Sequence, residues 1–476
     1  MTLSPSRVFR QCGASFLIAL ILSRYLPFSF FLSLIIYSVI YILFSGRQLS
    51  SSRKQRFLIL FLVLLSFSLG QYRYFSFVDK LNKSAIKEAK QVEMEASIIS
   101  EPVLKTNYQK ILVPNIVIYT ERFPVYQYGD KLKIKGKLEP LKEFYSYNSI
   151  IVSGRMSYPK IELVSSSDSK FSFQKTALSF KNKITHLLQR IIPEPQASLL
   201  NSILLGGKHN LTASLEEEIR KSGLSHIIVV SGLHLSIITQ MLSNLLGVFC
   251  LGNLLNFIIS CLFLLGFSLM VGFNSSIIRA AIMAFLLVLS RLNFRLYNPL
   301  NALFLAALVM VWFNPLVLFL DLGFQLSFLA TTGILLFYPL WNQSHFWQQS
   351  FFNNRGAKII KETTLSCFSA MVLVVPWVMF KTQSISLVAP LTNILVVPLV
   401  SLIIAGGFIT ALFAFIIYPL GLFFGFWLNL IMTYLLKIIS YCAKLPFAEL
   451  YIPYSLRWLI VPYYIFLFLY LRKKNS

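Results

Sequence analysis

Long apolar runs separated by short polar or basic gaps fill most of this chain, and one polar block interrupts them. Residues 13–25 and 28–45 are apolar and meet at a turn over Tyr25–Pro27; 57–70 is a third, shorter run. Nine more follow, near 226–247, 254–272, 276–290, 299–313, 317–339, 364–380, 390–417, 421–442 and 456–471. A helix needs about 20 apolar residues to cross a bilayer. Continuous rather than alternating runs mean helices, not the strands of a membrane barrel. The pattern predicts a polytopic α-helical membrane protein of about twelve spans, with a three-span region at 1–71 and a multi-span core at 224–476.

The interrupting block, 72–172, holds 16 Lys and Arg against 11 Asp and Glu, a net charge of +5. Its periodicity is two. In GDKLKIKGKL, Lys131, Lys133, Lys135 and Lys137 take one face of a strand while Leu132, Ile134 and Leu138 take the other. Further strand signals lie at 92–100, 110–119 and 149–155, divided by Pro and Gly turns. They predict a small all-β barrel or sandwich. Residues 173–223 are amphipathic. A capping box at Ser214–Glu217 and Gly223 bound one helix there, with Leu211, Leu215 and Ile219 as its apolar stripe, placed on the outer membrane surface or against the bundle.

Composition sharpens this. The chain is 56% hydrophobic and 13% charged, which excludes an ordinary soluble domain, and its net charge is +25. Basic loops carrying Arg47, Arg53, Lys54 and Arg56, then Arg291 and Arg295, then Arg355, Lys358 and Lys361, and a tail with Arg472, Lys473 and Lys474, all fall on one side of the predicted topology. By the positive-inside rule that side is cytoplasmic, both termini included. No cleavable signal is read at the amino terminus. The five cysteines lie scattered in apolar segments without metal spacing. Gly206, Gly207 and Lys208 lack the rest of a phosphate loop. No cofactor is implied.

Polar residues inside the runs are the candidate chemistry. GLSHIIVVSGLHLSII, residues 223–238, carries His226, Ser231, Gly232 and His234; the two histidines are eight apart and would share one helical face. Between Glu218 and Glu362 the single carboxylate is Asp321, and between Lys221 and Arg291 the single Lys or Arg is Arg279. They could form a stabilising pair or serve transport. Asp321 and Gln325 form a polar stripe with Thr332. Asn393 stands between Pro390 and Pro398, a pattern that fits a broken, re-entrant helix or a kinked packing helix. Ser231 and His234 lack an acid partner and an oxyanion loop, so no hydrolase is expected.

These segments resemble the ComEC-type competence protein family. GLSHIIVVSGLHLSII resembles its signature, Asp321–Phe328 its DxGFQLSF motif, Asn274–Met283 its S-x-x-R-A-x-x-M segment, Asn298–Ala302 its D-P-L-N-A loop with Asn298 for Asp, and Pro390–Pro398 its P-x-x-N-x-x-x-x-P segment. The resemblance implies that 72–172 is an OB-like extracytoplasmic domain. It also implies an inner-membrane channel that passes single-stranded DNA into the cytoplasm during natural transformation. The implied partners are membrane lipid, an extracytoplasmic DNA receptor, a cytoplasmic helicase or ATPase, and other copies of the chain. His226, Ser231, Gly232, His234, Arg279, Asp321, Gln325 and Asn393 would shape the pore. Lys131, Lys133, Lys135 and Lys137 would contact DNA, with Tyr119, Phe123, Tyr126, Tyr128, Phe144, Tyr145 and Tyr147 available for stacking; a solvated strand face with core aromatics has the same pattern. The HxHxDH motif of larger members is absent here, so no nuclease is expected on this chain. Secondary transport of a small anionic solute through Asp321, His234 and Arg279, and a scaffold with a peptide- or glycan-binding domain, remain open.

Overall fold

The structure is a computed structural model describing residues 5–25, 53–84, 89–104, 107–147, 150–165, 173–207, 211–248, 252–344 and 355–475. The run expected at 28–45, Cys250 and Lys208 lie outside them. Helices α1 (Pro5–Tyr25) and α2 (Arg53–Ser84) pack side by side. Their backbones meet at Gly70, where a Cβ would stand 2.6 Å from the Phe16 carbonyl oxygen, a close approach typical of membrane helices. α2 continues to Ser84, so the first residues of the block expected to be polar and β-rich are helical.

The sheet follows: β1 (Lys90–Ser97), β2 (Val103–Leu104), β3 (Tyr108–Val113), β4 (Ile116–Glu121), β5 (Lys131–Tyr147), β6 (Ile150–Ser157) and β7 (Lys160–Ser165). Its order is β1-β5-β6-β4-β3-β2, with β7 also on β5. Every pairing is antiparallel except β4 with β6. Alternation puts Ile111, Ile118, Leu132, Ile134 and Met156 into one core. The run expected as one strand at 110–119 is a hairpin turning at Asn115, which takes a left-handed φ of 61°.

Three helices then lead into the bundle: α3 (Phe173–Ile191), α4 (Gln196–Leu205) and α5 (Ala213–Lys221). α5 starts earlier than its expected capping box, with Thr212 accepting from the Leu215 N–H at 3.3 Å. It ends as expected at Gly223, in a Schellman pair of Gly223 N–H to Arg220 O and Leu224 N–H to Ile219 O.

The remaining elements are α6 (Ser225–Ile228), α7 (Gly232–Val248), α8 (Asn253–Val271), α9 (Ser275–Leu292), α10 (Pro299–Phe313), α11 (Val317–Leu320), α12 (Leu322–Asn342), α13 (Arg355–Thr382), β8 (Ser384–Ile385), α14 (Ala389–Ile416), α15 (Tyr418–Ala443), β9 (Leu450–Tyr451), a 3-10 turn (Tyr454–Leu459) and α16 (Ile460–Asn475). Among the described residues seven helices are long and apolar enough to cross a membrane: α2, α8, α9 and α12 to α15. The chain is a membrane protein carrying a curled β-sheet domain.

Two expectations about spans are corrected, and one of two alternatives for a third is excluded. The run at 226–247 is not one helix: it breaks between Ile228 and Gly232, so His226 and His234 do not share a helical face. The run at 317–339 breaks at Asp321. The Pro-Asn-Pro stretch does not break. α14 runs unbroken for 28 residues, with Pro390 in its first turn, where no N–H is needed, and Pro398 inside.

Two apolar clusters hold the bundle together. One joins α3 to α9 with α14 and α15. The other joins α1, α2, α10, α11 and α12, and takes in Ile151 of β6, which docks the sheet on the bundle. α9 stands at their seam, with Ile277 and Ala280 in the first cluster and Ile278 and Ile282 against the second.

Candidate functional site

Polar groups gather along that seam. The α6–α7 turn comes first. At Gly223, φ is 77° and a Cβ would lie 2.4 Å from that of Ala389, so only glycine seats this loop against the start of α14. His226 is exposed, with Nδ1 3.2 Å from the Gly223 carbonyl. His234 is 1% exposed. Its Nδ1 accepts from the Ser231 N–H at 3.2 Å and lies 3.0 Å from Ser231 Oγ, so the side chain reaches back to the start of its own helix as the third residue of a capping box does. Its Nε2 is buried without a partner.

Arg279 projects from α9 into the gap between α7 and α12. Its Nε donates to Ser327 Oγ at 2.7 Å and its Nη1 to Met283 Sδ at 3.4 Å, and the guanidinium lies over the Phe328 ring. Nη2 sits 2.5 Å from where a Gly232 Cβ would be. No described carboxylate comes within 4.0 Å of this buried cation. The Arg279–Asp321 pair is therefore absent. Asp321 instead accepts from the Ser275 hydroxyl, and from the Phe324 N–H at 3.0 Å as the cap of α12. Ser275–Asp321, Ser276–Gly323 and Arg279–Ser327 contacts thus lace α9 to α12 along successive turns.

Gln325 staples the break before α12. Its Nε2 donates to the Leu318 and Phe319 carbonyls, both at 2.9 Å, satisfying the end of α11, and its Oε1 accepts from Trp377 Nε1 at 2.9 Å. Asn393 donates to Cys367 Sγ at 3.5 Å, and its Oδ1 is buried without a partner. Ser231, Gly232, His234, Arg279, Asp321 and Gln325 are thus linked through α7, α9 and α12, while His226 and Asn393 stand apart from that chain of contacts. Ser275, Ser327, Cys367 and Trp377 are partners that the sequence reading did not single out. Ser275 and Ser327 lie within the quoted motifs; Trp377 has no motif signal.

The sheet domain places the lysine row on β5 opposite acidic residues of β1. Lys133 and Lys135 pair with Glu93 at 3.0 and 3.1 Å, and Lys137 is 3.9 Å from Glu139. Hydrogen bonds from both lysines hold the Glu93 carboxyl below its usual range, and the same contact raises Lys133. A second group lies on β3 and β4: the Tyr108 and Tyr119 rings are 5.8 Å apart, with Lys110 over Tyr119. Burial lowers the Lys110 ammonium. Tyr126 is core, Phe123 is exposed, and the side chains of Phe144, Tyr145 and Tyr147 lie outside the description. Lys181 of α3, buried, meets Glu101 at 2.6 Å and ties the domain to the bundle's first helix.

Comparison with known proteins adds the following. Residues 203–475 match the model of a family described as Competence protein. An uncharacterized protein of Aquifex aeolicus is 41% identical over 129 residues, 27% of this chain and 30% of that protein. ComE operon protein 3 of Bacillus subtilis is 22% identical over 273 residues, 57% of this chain and 34% of that protein. Each alignment with these relatives thus spans about a third of the relative's length. No solved structure matches.

Proposed function

The chain belongs to the competence protein family, and on that premise we propose that it is an inner-membrane channel taking single-stranded DNA into the cytoplasm. The observation that carries the proposal is Arg279, a cation held at the seam of two helical lobes with no described carboxylate beside it. A structural ion pair would have neutralised it; a path for phosphates would not. The Bacillus subtilis relative is named for the ComE operon, and the family description supplies the link to competence.

In this reading the strand runs along the seam, past Ser231, Gly232, His234 and Arg279, with His226 at the mouth and Asn393 on the α14 side. Asp321 and Gln325 hold the walls. The sheet is an OB-like receiving domain. Its strand order, with a long β5 shared by β1, β6 and β7 and one parallel pair, supports that assignment. Tyr108, Tyr119 and Lys110 supply stacking and charge on the β3–β4 face. The β5 lysines add positive charge, reduced by Glu93. The sheet lies outside, both termini are cytoplasmic, and a DNA receptor, a helicase or ATPase, lipid and further copies are the partners.

The test is entry of labelled DNA into the cytoplasm of cells with and without the gene, scored beside DNA bound at the surface. Loss of entry with surface binding intact supports the channel; unchanged entry defeats it. Secondary transport of a small anionic solute is the second reading, favoured by the same buried cation. Gene-dependent solute uptake with unchanged DNA entry would establish it.

A further inference from the structure

The contact between Arg279 and α7 is more specific than a polar pore wall requires. α7 begins without a side-chain cap on its N–H groups. Leu235 is the first residue whose N–H finds an acceptor, Ser231 O at 3.3 Å; the N–H groups of Gly232 and His234 have none among the described residues. Ser231 Oγ, which would ordinarily serve them, is turned to His234 Nδ1 at 3.0 Å. These free donors carry the positive end of a 17-residue helix.

Against that positive end the fold sets a second positive group. Arg279 is 8% exposed. Its Nε and Nη1 are engaged by Ser327 and Met283, while Nη2 has no hydrogen-bond partner among the described residues and is aimed at Gly232. Glycine is what lets it arrive, since a Cβ would stand 2.5 Å from Nη2. A guanidinium and a helix start repel each other in an apolar bundle. Both are satisfied by one oxyanion between them, bound by the guanidinium on one side and by backbone N–H groups on the other.

We propose that the Ser231–His234 turn and Arg279 form a station for a single phosphate group. Its physiological occupant is a phosphodiester of the passing strand, which rests on the channel reading; free inorganic phosphate offers the same chemistry. Because a station on a path must also release its ligand, it holds one charge rather than a row of them.

The test is isothermal titration of the full chain in zwitterionic nanodiscs with inorganic phosphate, with the dinucleotide TpT, and with its uncharged methylphosphonate analogue. Phosphate and TpT bind and the methylphosphonate does not. R279Q weakens binding about tenfold or more. G232A does the same while keeping the charge, because the added methyl displaces the guanidinium. That substitution meets only the flexible end of a side chain, so G232A retains the wild-type unfolding temperature and carries the test if R279Q does not fold. Equal affinity in wild type and G232A, or equal binding of the methylphosphonate, overturns the station. DNA entry in cells separates the two proposals. G232A that loses anion binding but keeps entry leaves the station standing and excludes a strand phosphodiester as its occupant. Unchanged entry on deletion of the gene removes the channel and leaves phosphate binding standing.

Discussion

Gln325 serves three partners with one amide, and the cost of losing it follows from that. Leu in its place leaves the Leu318 and Phe319 carbonyls and the Trp377 N–H without their bonds in an apolar bundle. Each orphaned group costs about 1–3 kcal/mol. Q325L should therefore lower the thermal unfolding temperature in detergent clearly, and W377F, which frees a single acceptor, should lower it less. Asp321 invites the opposite expectation from its rarity as a charge within an apolar run. Its described bonds are a helix cap and an acceptance from the Ser275 hydroxyl. D321N should keep stability within about 1 kcal/mol and D321A should lose about 1–2 kcal/mol, read from the same unfolding curves. A D321N as damaged as D321A would show that the charge itself is needed. The chain contains its own precedent, since Asn298 caps α10 by accepting from the Asn301 N–H at 3.1 Å. At this scale the sequence shows which polar residues are rare and does not show which partners they take. Arg279 and Asp321 stand out because charges are rare in apolar runs. Their true partners, Ser275 and Ser327, are ordinary residues of membrane helices and give no such contrast.

At the scale of elements, hydropathy found the apolar runs but not where they stop being helical. The breaks before α7 and α12 fall at Val229–Ser231 and at Asp321. Window averages pass over them, because a stretch of three residues or one barely changes the apolar content. For the Pro-Asn-Pro stretch the sequence left a broken and a packing helix open, and the helix is continuous. Pro390 occupies the first turn, where its missing N–H is harmless, and Pro398 is accommodated within an unbroken helix. A helix of this length spans about 42 Å at 1.5 Å per residue, more than the apolar thickness of a bilayer. Because no break at Pro398 is used, P398A should leave DNA entry near wild type and leave the unfolding temperature equal or higher. Abolished entry in a well-folded P398A would mean that a bend at this position does matter. The β-strands were more legible, because a period of two fixes both the strand and its buried face; the turn at Asn115 within the run at 110–119 and the strands β2 and β7 were not read.

For the whole molecule, charge is distributed unequally between its two parts. The sheet domain sets Glu93 against Lys133 and Lys135, whereas the bundle leaves Arg279 without a described carboxylate. The Glu93 carboxyl is depressed below its ordinary value by Lys133 and Lys135. The stability it contributes is present above the unfolded carboxyl pKa and is lost as pH falls through the folded one. Unfolding curves of the full chain taken from neutral to acid should show this loss, and E93Q should flatten it. An unchanged acid slope in E93Q would mean that the pairs, formed between half-exposed groups, add nothing. The domain is fastened to the bundle by Ile151 and by the Lys181–Glu101 contact, while Arg73 of α2, which donates to the Trp312 and Phe313 carbonyls at the end of α10, ties two bundle helices together. Nothing in composition or periodicity joins residues this distant in sequence.

One edge of the bundle is sewn shut. Arg220 grips Glu449, Ser386 Oγ donates to the Lys221 carbonyl, β8 pairs with β9, and the Ile452 N–H donates to Gln383 O. Three separate segments, the end of α5, the α13–α14 connection and the α15–α16 connection, are thereby drawn into a single hoop at the Gly223 turn. A hoop of hydrogen bonds and ion pairs has a circumference set when the protein folds. The helices that meet there are held at a fixed spacing at that edge, and any give between them belongs to their far ends.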